Sequence, residues 1–318
     1  MPLGFHFPFS TIDAKAQAEL AQLLRDRGYG HVWTGENPGT NGFLPLALAS
    51  QWAPGLGLAS ACFPVQTRGP GLFADTVAQL CASAPASPVI VGIGSSSEWV
   101  VQRMNGRPYG RPVESVRDMA RFLSAALAGE DVRADNASFR VRYKLARPLA
   151  RPPKLMVAAL RPKMIEMGAA ESDGVILNNV VPEDLAKIVP LVKRHGADKQ
   201  IAARVYVTPV EDPTIVRQVG AASLAAYLGV PTYRKHQEWL GHSDLFAPLW
   251  EAWDQGGFAA ARAAVTDTMV DHLYHHGSPE ACRTLIRDYE AAGVDHVIVS
   301  PVEEALDPRE IARRLAPQ

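Results

Sequence analysis

Eight short apolar runs, each followed by a stretch with helical spacing, recur through the chain and predict an α/β protein, a (β/α)8 TIM barrel. Alternating units of this kind imply a parallel sheet, because crossover helices must cover the faces of parallel strands. A length of 318 residues suits one large barrel or two ordinary domains equally, so the repeat decides for a single domain over residues 1–318.

Leu3–Phe7 reads as the first strand and Ile12–Arg27 as an amphipathic helix, stopped by Gly28-Tyr29-Gly30 before the strand His31–Thr34. Two units are complete by residue 53. The third strand is Leu56–Phe63, with a helix over Gly71–Ser83. The fourth is Val89–Ile93, followed by a short helix near Trp99 and a long one over Val113–Leu127. Lys154–Ala158 then leads to Pro162–Ala170, Gly174–Leu177 to Pro182–His195, and Gln200–Val207 to a long helical region. Asp295–Ser300 is the eighth strand and Glu303–Leu315 the last helix. Two segments interrupt the period. Arg- and Pro-rich Asp131–Pro153 reads as an irregular excursion, and residues 212–278 as a helical insertion between strands seven and eight, too long for a bare loop. Tyr227, Tyr233, Trp239, Phe246, Trp250, Trp253 and Phe258 gather in that insertion. They fit packing onto the barrel, a lid over the site, or a face for a second subunit.

Composition narrows the function classes. Hydrophobic residues at 47% and a formal net charge of −1 give no field that would gather nucleic acid or an anionic membrane. Cys62, Cys81 and Cys282 are odd in number and form no Cys-x-x-Cys pair, so a reducing cytoplasmic setting is expected. The start of the chain lacks a basic stretch followed by a long apolar run, and no apolar run reaches ~18 residues, so neither secretion nor membrane spanning is expected. His272, His275 and His276 cluster without an acidic partner at ligand spacing, and no metal is expected.

Chemistry in a barrel belongs at the carboxyl ends of the strands. That rule selects Phe7 and Pro8, Thr34–Asn37, Ala61–Arg68, Gly94–Glu98, Ala158–Lys163, Asn178, Asn179 and Thr208. Gly94-Ser95-Ser96-Ser97 is an anion-binding candidate, because glycine lets the backbone approach closely and successive amides form a concave donor nest. Ala158-Ala159-Leu160-Arg161-Pro162-Lys163 is a second, with positive charge at a helix N-terminus; both also read as ordinary polar turns. Glu36 suits a proton carrier or a hydrogen-bond acceptor. His6, at the end of the first strand, is a possible base, though a lone strand histidine is commonly structural.

The order of Leu56–Phe63, the loop with Arg68 and Pro70, the glycine turn at Gly92–Ser97 and the passage Gly106-Arg107-Pro108-Tyr109-Gly110-Arg111-Pro112 resembles the luciferase-like monooxygenase superfamily, especially its coenzyme F420-dependent branch. The resemblance covers nearly the whole chain. It implies a cofactor held by the loop after strand three and the turn after strand four, with Gly94, Ser95, Ser96, Ala158, Ala159 and Lys163 as binding residues. It also implies a non-prolyl cis peptide at Ala61-Cys62 that supports the cofactor's middle ring. Val32-Trp33-Thr34-Gly35-Glu36-Asn37 resembles a pattern whose acidic residue and histidine face the reactive ring, with Asn37 in place of histidine. Glu36 and Asn37 are thereby the catalytic candidates. Arg161 stands where the family has glycine, and Ser97 stands where sugar-phosphate dehydrogenases of the family have glutamate. The implied activity is hydride transfer between F420 and a small organic substrate, in a homodimer. An FMN-dependent monooxygenase and a non-catalytic flavin-binding protein are the alternatives.

Overall fold

A computed structural model describes residues 3–36 and 38–317. The elements in chain order are β1 (Gly4–His6), α1 (Ala14–Asp26), β2 (His31–Thr34), α2 (Phe43–Trp52), β3 (Gly57–Ser60), β4 (Phe63–Pro64), α3 (Pro70–Ser83), β5 (Val89–Gly94) and α4 (Pro112–Leu127). There follow β6 (Val132–Asp135), β7 (Arg140–Tyr143), β8 (Lys154–Ala158), α5 (Pro162–Glu171), β9 (Gly174–Asn178), α6 (Leu185–Lys193) and β10 (Gln200–Thr208). The chain continues through α7 (Thr214–Leu228), α8 (Pro231–Leu240), α9 (Ser243–Ala264), α10 (Asp267–Leu273), β11 (Tyr274–His276), α11 (Pro279–Ala291), β12 (His296–Val299) and α12 (Pro308–Arg314).

Parallel pairing runs β12-β1-β2-β3-β5-β8-β9-β10 and returns from β10 to β12, which closes an eight-stranded TIM barrel. Closure removes every sheet edge from the barrel. One inward side chain per strand builds its apolar plug: Trp33, Ala59, Ile90, Met156, Ile176, Ala202 and Ile298. Gly4 supplies the eighth position, where a Cβ would overlap the Trp33 indole. The outward strand faces pack on the helices in a second, larger core.

Three expectations are corrected by tertiary packing. The third strand is not continuous. It breaks after Ser60 and resumes as β4, and the register shifts from Ala59↔Ile90 to Phe63↔Ile93, so one extra residue bulges out beside β5. The peptide Ala61-Cys62 within that bulge is cis, in agreement with the expectation. Asp131–Pro153 is not wholly irregular: β6 and β7 form an antiparallel hairpin. Its turn is held by Asn136 Oδ1, which accepts from the amides of Ser138 and Phe139 at 2.9 Å. Phe139 and Tyr143 pack edge-on to Phe122 of α4, which is what turns a charged segment into an ordered one. The last helix begins at Pro308 rather than Glu303, because Asp307 caps it by accepting from the Arg309 amide.

Between β10 and α11, helices α7–α10 enclose a core of their own around Leu224, Phe246, Leu249 and Trp250. The short strand β11 adds in parallel to the end of β10, pairing Tyr206 with Tyr274. His276 Nε2 meets Asp271 Oδ1 at 3.2 Å. Among the described residues no helix is long and apolar enough to cross a membrane.

Candidate active site

Side chains alternate along a strand, so the next inward position lies two residues beyond each member of the plug. At that level the strands present His6, Gly35, Ala61, Gly92, Ala158, Asn178, Arg204 and Ser300. The ring is divided. The half built by β2, β3, β5 and β8 carries only glycine and alanine, and the half built by β9, β10, β12 and β1 carries an amide, a guanidinium, a hydroxyl and an imidazole.

The small half is flat by construction. A Cβ on Gly94 would stand 2.6 Å from Cys62 Sγ and 3.1 Å from the Ala158 Cβ, so the bulge, the end of β5 and the end of β8 meet there with no room for a side chain. Ala61, Cys62 and Ala158 are half-buried at this surface. Burial, reinforced by the nearby Glu36 carboxylate, pushes the Cys62 thiol up to about 12, so it is a neutral packing group and not a nucleophile. Ala159 faces the other way: its side chain is buried among the helices, and its amide donates to the Ile176 carbonyl at 2.9 Å.

Beyond β5 the chain turns through Ser95, Ser96 and Ser97, with Ser96 in the left-handed region at φ 54°. Among the described residues no protein acceptor engages these three amides. The Tyr109 hydroxyl donates to the Ser96 carbonyl at 3.1 Å, which ties the Gly106–Pro112 passage to the turn. Lys163 is exposed in the first turn of α5.

Glu36 lies at the end of β2, and its amide donates to the Cys62 carbonyl at 3.4 Å. Both of its carboxylate oxygens accept from the terminal nitrogens of Arg68. The guanidinium in turn rests 5.2 Å from the Phe43 ring, in a cluster with Phe63 and Phe73. The acid is therefore a fixed, ion-paired group beside a cleft of about 410 Å3 that also touches Thr67, Val100 and Met104. A larger groove of about 570 Å3 lies on the insertion, around Arg234, Trp250 and Trp253, and includes none of the strand-end residues. Asn37 lies outside the described residues.

The polar half is roofed by the insertion. On α8, His236 Nε2 meets the Asn178 carbonyl at 3.2 Å and Gln237 donates to the Asn179 carbonyl at 2.8 Å. One helical turn earlier, Tyr233 engages the Asn178 side chain, and Tyr227 of α7 packs edge-on to it at 5.1 Å. Tyr206 donates to Asn178 Oδ1 at 3.2 Å and stacks on Tyr274. Burial, with the Arg204 charge beside it, lowers His6 to about 3, so the candidate base is held as a neutral imidazole.

A model of the luciferase-like monooxygenase family matches residues 4–296. The chain belongs to that family. Like its relatives, this luciferase-like protein is an oxidoreductase. It is 23% identical over 296 residues to the 5,10-methylenetetrahydromethanopterin reductase of Methanolobus tindarius, with 90% of each chain covered. In fold it is similar to the coenzyme F420-dependent tetrahydromethanopterin reductase of Methanopyrus kandleri (TM-score 0.75, 18% identity, 99% of this chain and 97% of the other). It is also similar to the oxygenating constituent of 3,6-diketocamphane monooxygenase of Pseudomonas putida, solved with FMN (TM-score 0.68, 15% identity, 99% and 97%).

Within this family member the sequence reading brought Ala61, Cys62, Gly94 and Ala158 to one surface and Ser95 and Ser96 to its rim. It missed Arg68 as the partner of Glu36, and it missed Arg204 and Tyr206. Arg204 and Tyr206 did carry a local signal, two inward positions in succession on an apolar strand; Tyr233 was read only as one of the insertion aromatics, because the docking of α8 decides its place.

Proposed function

We propose that the protein is an F420-dependent oxidoreductase that transfers a hydride between the deazaflavin ring and a small organic substrate. The observation that carries this reading is the glycine and alanine half of the barrel mouth, with Gly94 flush against Cys62 and Ala158. Such a floor accepts a flat tricyclic ring, and the turn at its edge offers amides to the phosphate of the cofactor tail. When bound, the cofactor supplies the hydride chemistry.

The chain's own residues do the rest. Ala61, Cys62 and Ala158 form the surface behind the ring, and the Ser95 and Ser96 amides and hydroxyls with Lys163 hold the tail. Glu36, clamped by Arg68, orients groups at the ring edge, and α7 and α8 exclude water above it. The likeness in fold to an F420-dependent reductase favours F420 over FMN. The reading extends to a homodimer, because Leu44 and Leu48 on α2 and Leu72 at the start of α3 are exposed large apolar side chains.

Titration of the purified protein with F420 and with FMN, followed by absorbance of the protein fraction, tests the proposal. F420 binds more tightly, and replacing Ser95 and Ser96 together by alanine weakens it roughly tenfold or more, the worth of one or two hydrogen bonds to a charged group. Micromolar FMN binding without F420 binding would reverse the choice of cofactor.

A further inference from the structure

We propose that the polar half of the barrel mouth, centred on Arg204, binds the carboxylate of an anionic organic substrate. Arg204 projects inward from β10 immediately above the apolar plug. Its Nε donates to Ser300 Oγ at 2.7 Å, and its guanidinium lies 4.8 Å from the centre of the Tyr206 ring. Among the described residues its two terminal nitrogens have no acceptor, and no carboxylate stands within 4.0 Å. Elsewhere in this mouth the corresponding problem is solved, since Arg68 has Glu36.

An arginine does not shed its charge, and a desolvated charge without a partner is costly. The surrounding side chains do not supply the missing anion. Burial pushes the phenols of Tyr206, Tyr233 and Tyr274 upward, so they remain neutral, and the hydroxyls of Tyr206 and Tyr274 already donate to Asn178 Oδ1 and Ser223 Oγ. His6, also facing Arg204, is neutral. What remains is one planar cationic fork, ringed by neutral side chains and unpaired on its open side. That arrangement matches a planar monoanion in bidentate contact; a phosphate dianion would call for a second cation.

The placement assigns the anion to the substrate. β10 lies four strands from β3 around a barrel of eight, so Arg204 is opposite the bulge at Ala61 and Cys62. The tail cradle of Ser95–Ser97 and Lys163 belongs to β5 and β8, on the bulge side. An anion held at Arg204 thus sits across the mouth from the ring floor, under Tyr227 and Tyr233. Calling it substrate rests on the oxidoreductase reading above; the anion site itself does not.

The test uses the full chain, with and without F420, and sodium hexanoate, hexanamide and inorganic phosphate as probes in calorimetry. Hexanoate binds roughly ten- to a hundredfold more tightly than hexanamide, the discrimination of a charge-assisted contact. Arg204→Met removes that preference, and Arg204→Lys, which keeps the charge without the fork, retains part of it. Equal affinity for acid and amide, a preference that survives in Arg204→Met, or tighter binding of phosphate than of hexanoate would each overturn the proposal. A loss of F420 affinity in Arg204→Met with hexanoate binding unchanged would overturn it too, by moving Arg204 to the cofactor. Failure of F420 to bind at all leaves the hexanoate measurement intact and counts against the cofactor alone.

Discussion

Arg68 holds both carboxylate oxygens of Glu36 while its guanidinium lies over the Phe43 ring, so the acid at the end of β2 is clamped by a cation that is itself packed in place. A carboxylate so engaged has little freedom to approach a reacting atom, but it presents fixed lone pairs to a ligand. Glu36→Gln keeps the shape, replaces one acceptor by a donor and leaves Arg68 without its counterion. The variant is expected to lose about 1–3 kcal/mol of stability, less than for a fully buried pair because both side chains keep some water contact. F420 affinity should fall by more than single-turnover hydride transfer does. Urea unfolding and cofactor titration check the two parts. An unchanged affinity with abolished transfer would make Glu36 a proton carrier after all.

Gly94 allows a second test of the ring floor. A methyl group there meets Cys62 Sγ at 2.6 Å and the Ala158 Cβ at 3.1 Å, so Gly94→Ala must displace one of them. Overpacking of this kind costs about 1–3 kcal/mol, and the raised floor should also weaken F420. Adding Cys62→Ala removes the closer obstacle and should restore part of the stability, which thermal melts of the single and double variants will show as non-additivity. Additive effects would mean that the two positions do not share the floor.

Acid sensitivity follows from the buried histidines. Burial is the first cause in each case, lowering His6 to about 3 and His31, His236 and His275 to about 4. In the unfolded chain these groups titrate near 6.5, so below that pH the unfolded state binds protons that the folded state refuses. Stability is therefore full above pH 6.5 and falls as the pH drops toward 4, by about 1.4 kcal/mol per pH unit for each group once well below 6.5. Urea midpoints between pH 7.5 and 5 read this before most carboxylates titrate. A flat profile over that range would show that these imidazoles accept protons in the folded protein.

The barrel was legible in the sequence because its signals are local. Apolar runs such as Val89–Ile93 and helix-periodic stretches such as Val113–Leu127 announce their own conformation, and the carboxyl-end rule then marks Glu36, Gly94, Ser95 and Ala158 by position along each strand. The hairpin β6–β7 escaped because its charged, half-exposed strands owe their order to Phe122, a contact with another element. Pairing of the site residues was not legible for the same reason. Arg68 finds Glu36 only because the bulge and α3 bring that loop back to β2, and Tyr233 reaches Asn178 only because His236 and Gln237 anchor α8 to the end of β9. Sequence by itself determined which segments are strands and which residues end them, since backbone preference and hydrophobic period act within a few residues. Tertiary structure alone decided that one half of the mouth is bare and the other bears an unpaired cation, since closure of the barrel sets which strands stand side by side and which stand opposite.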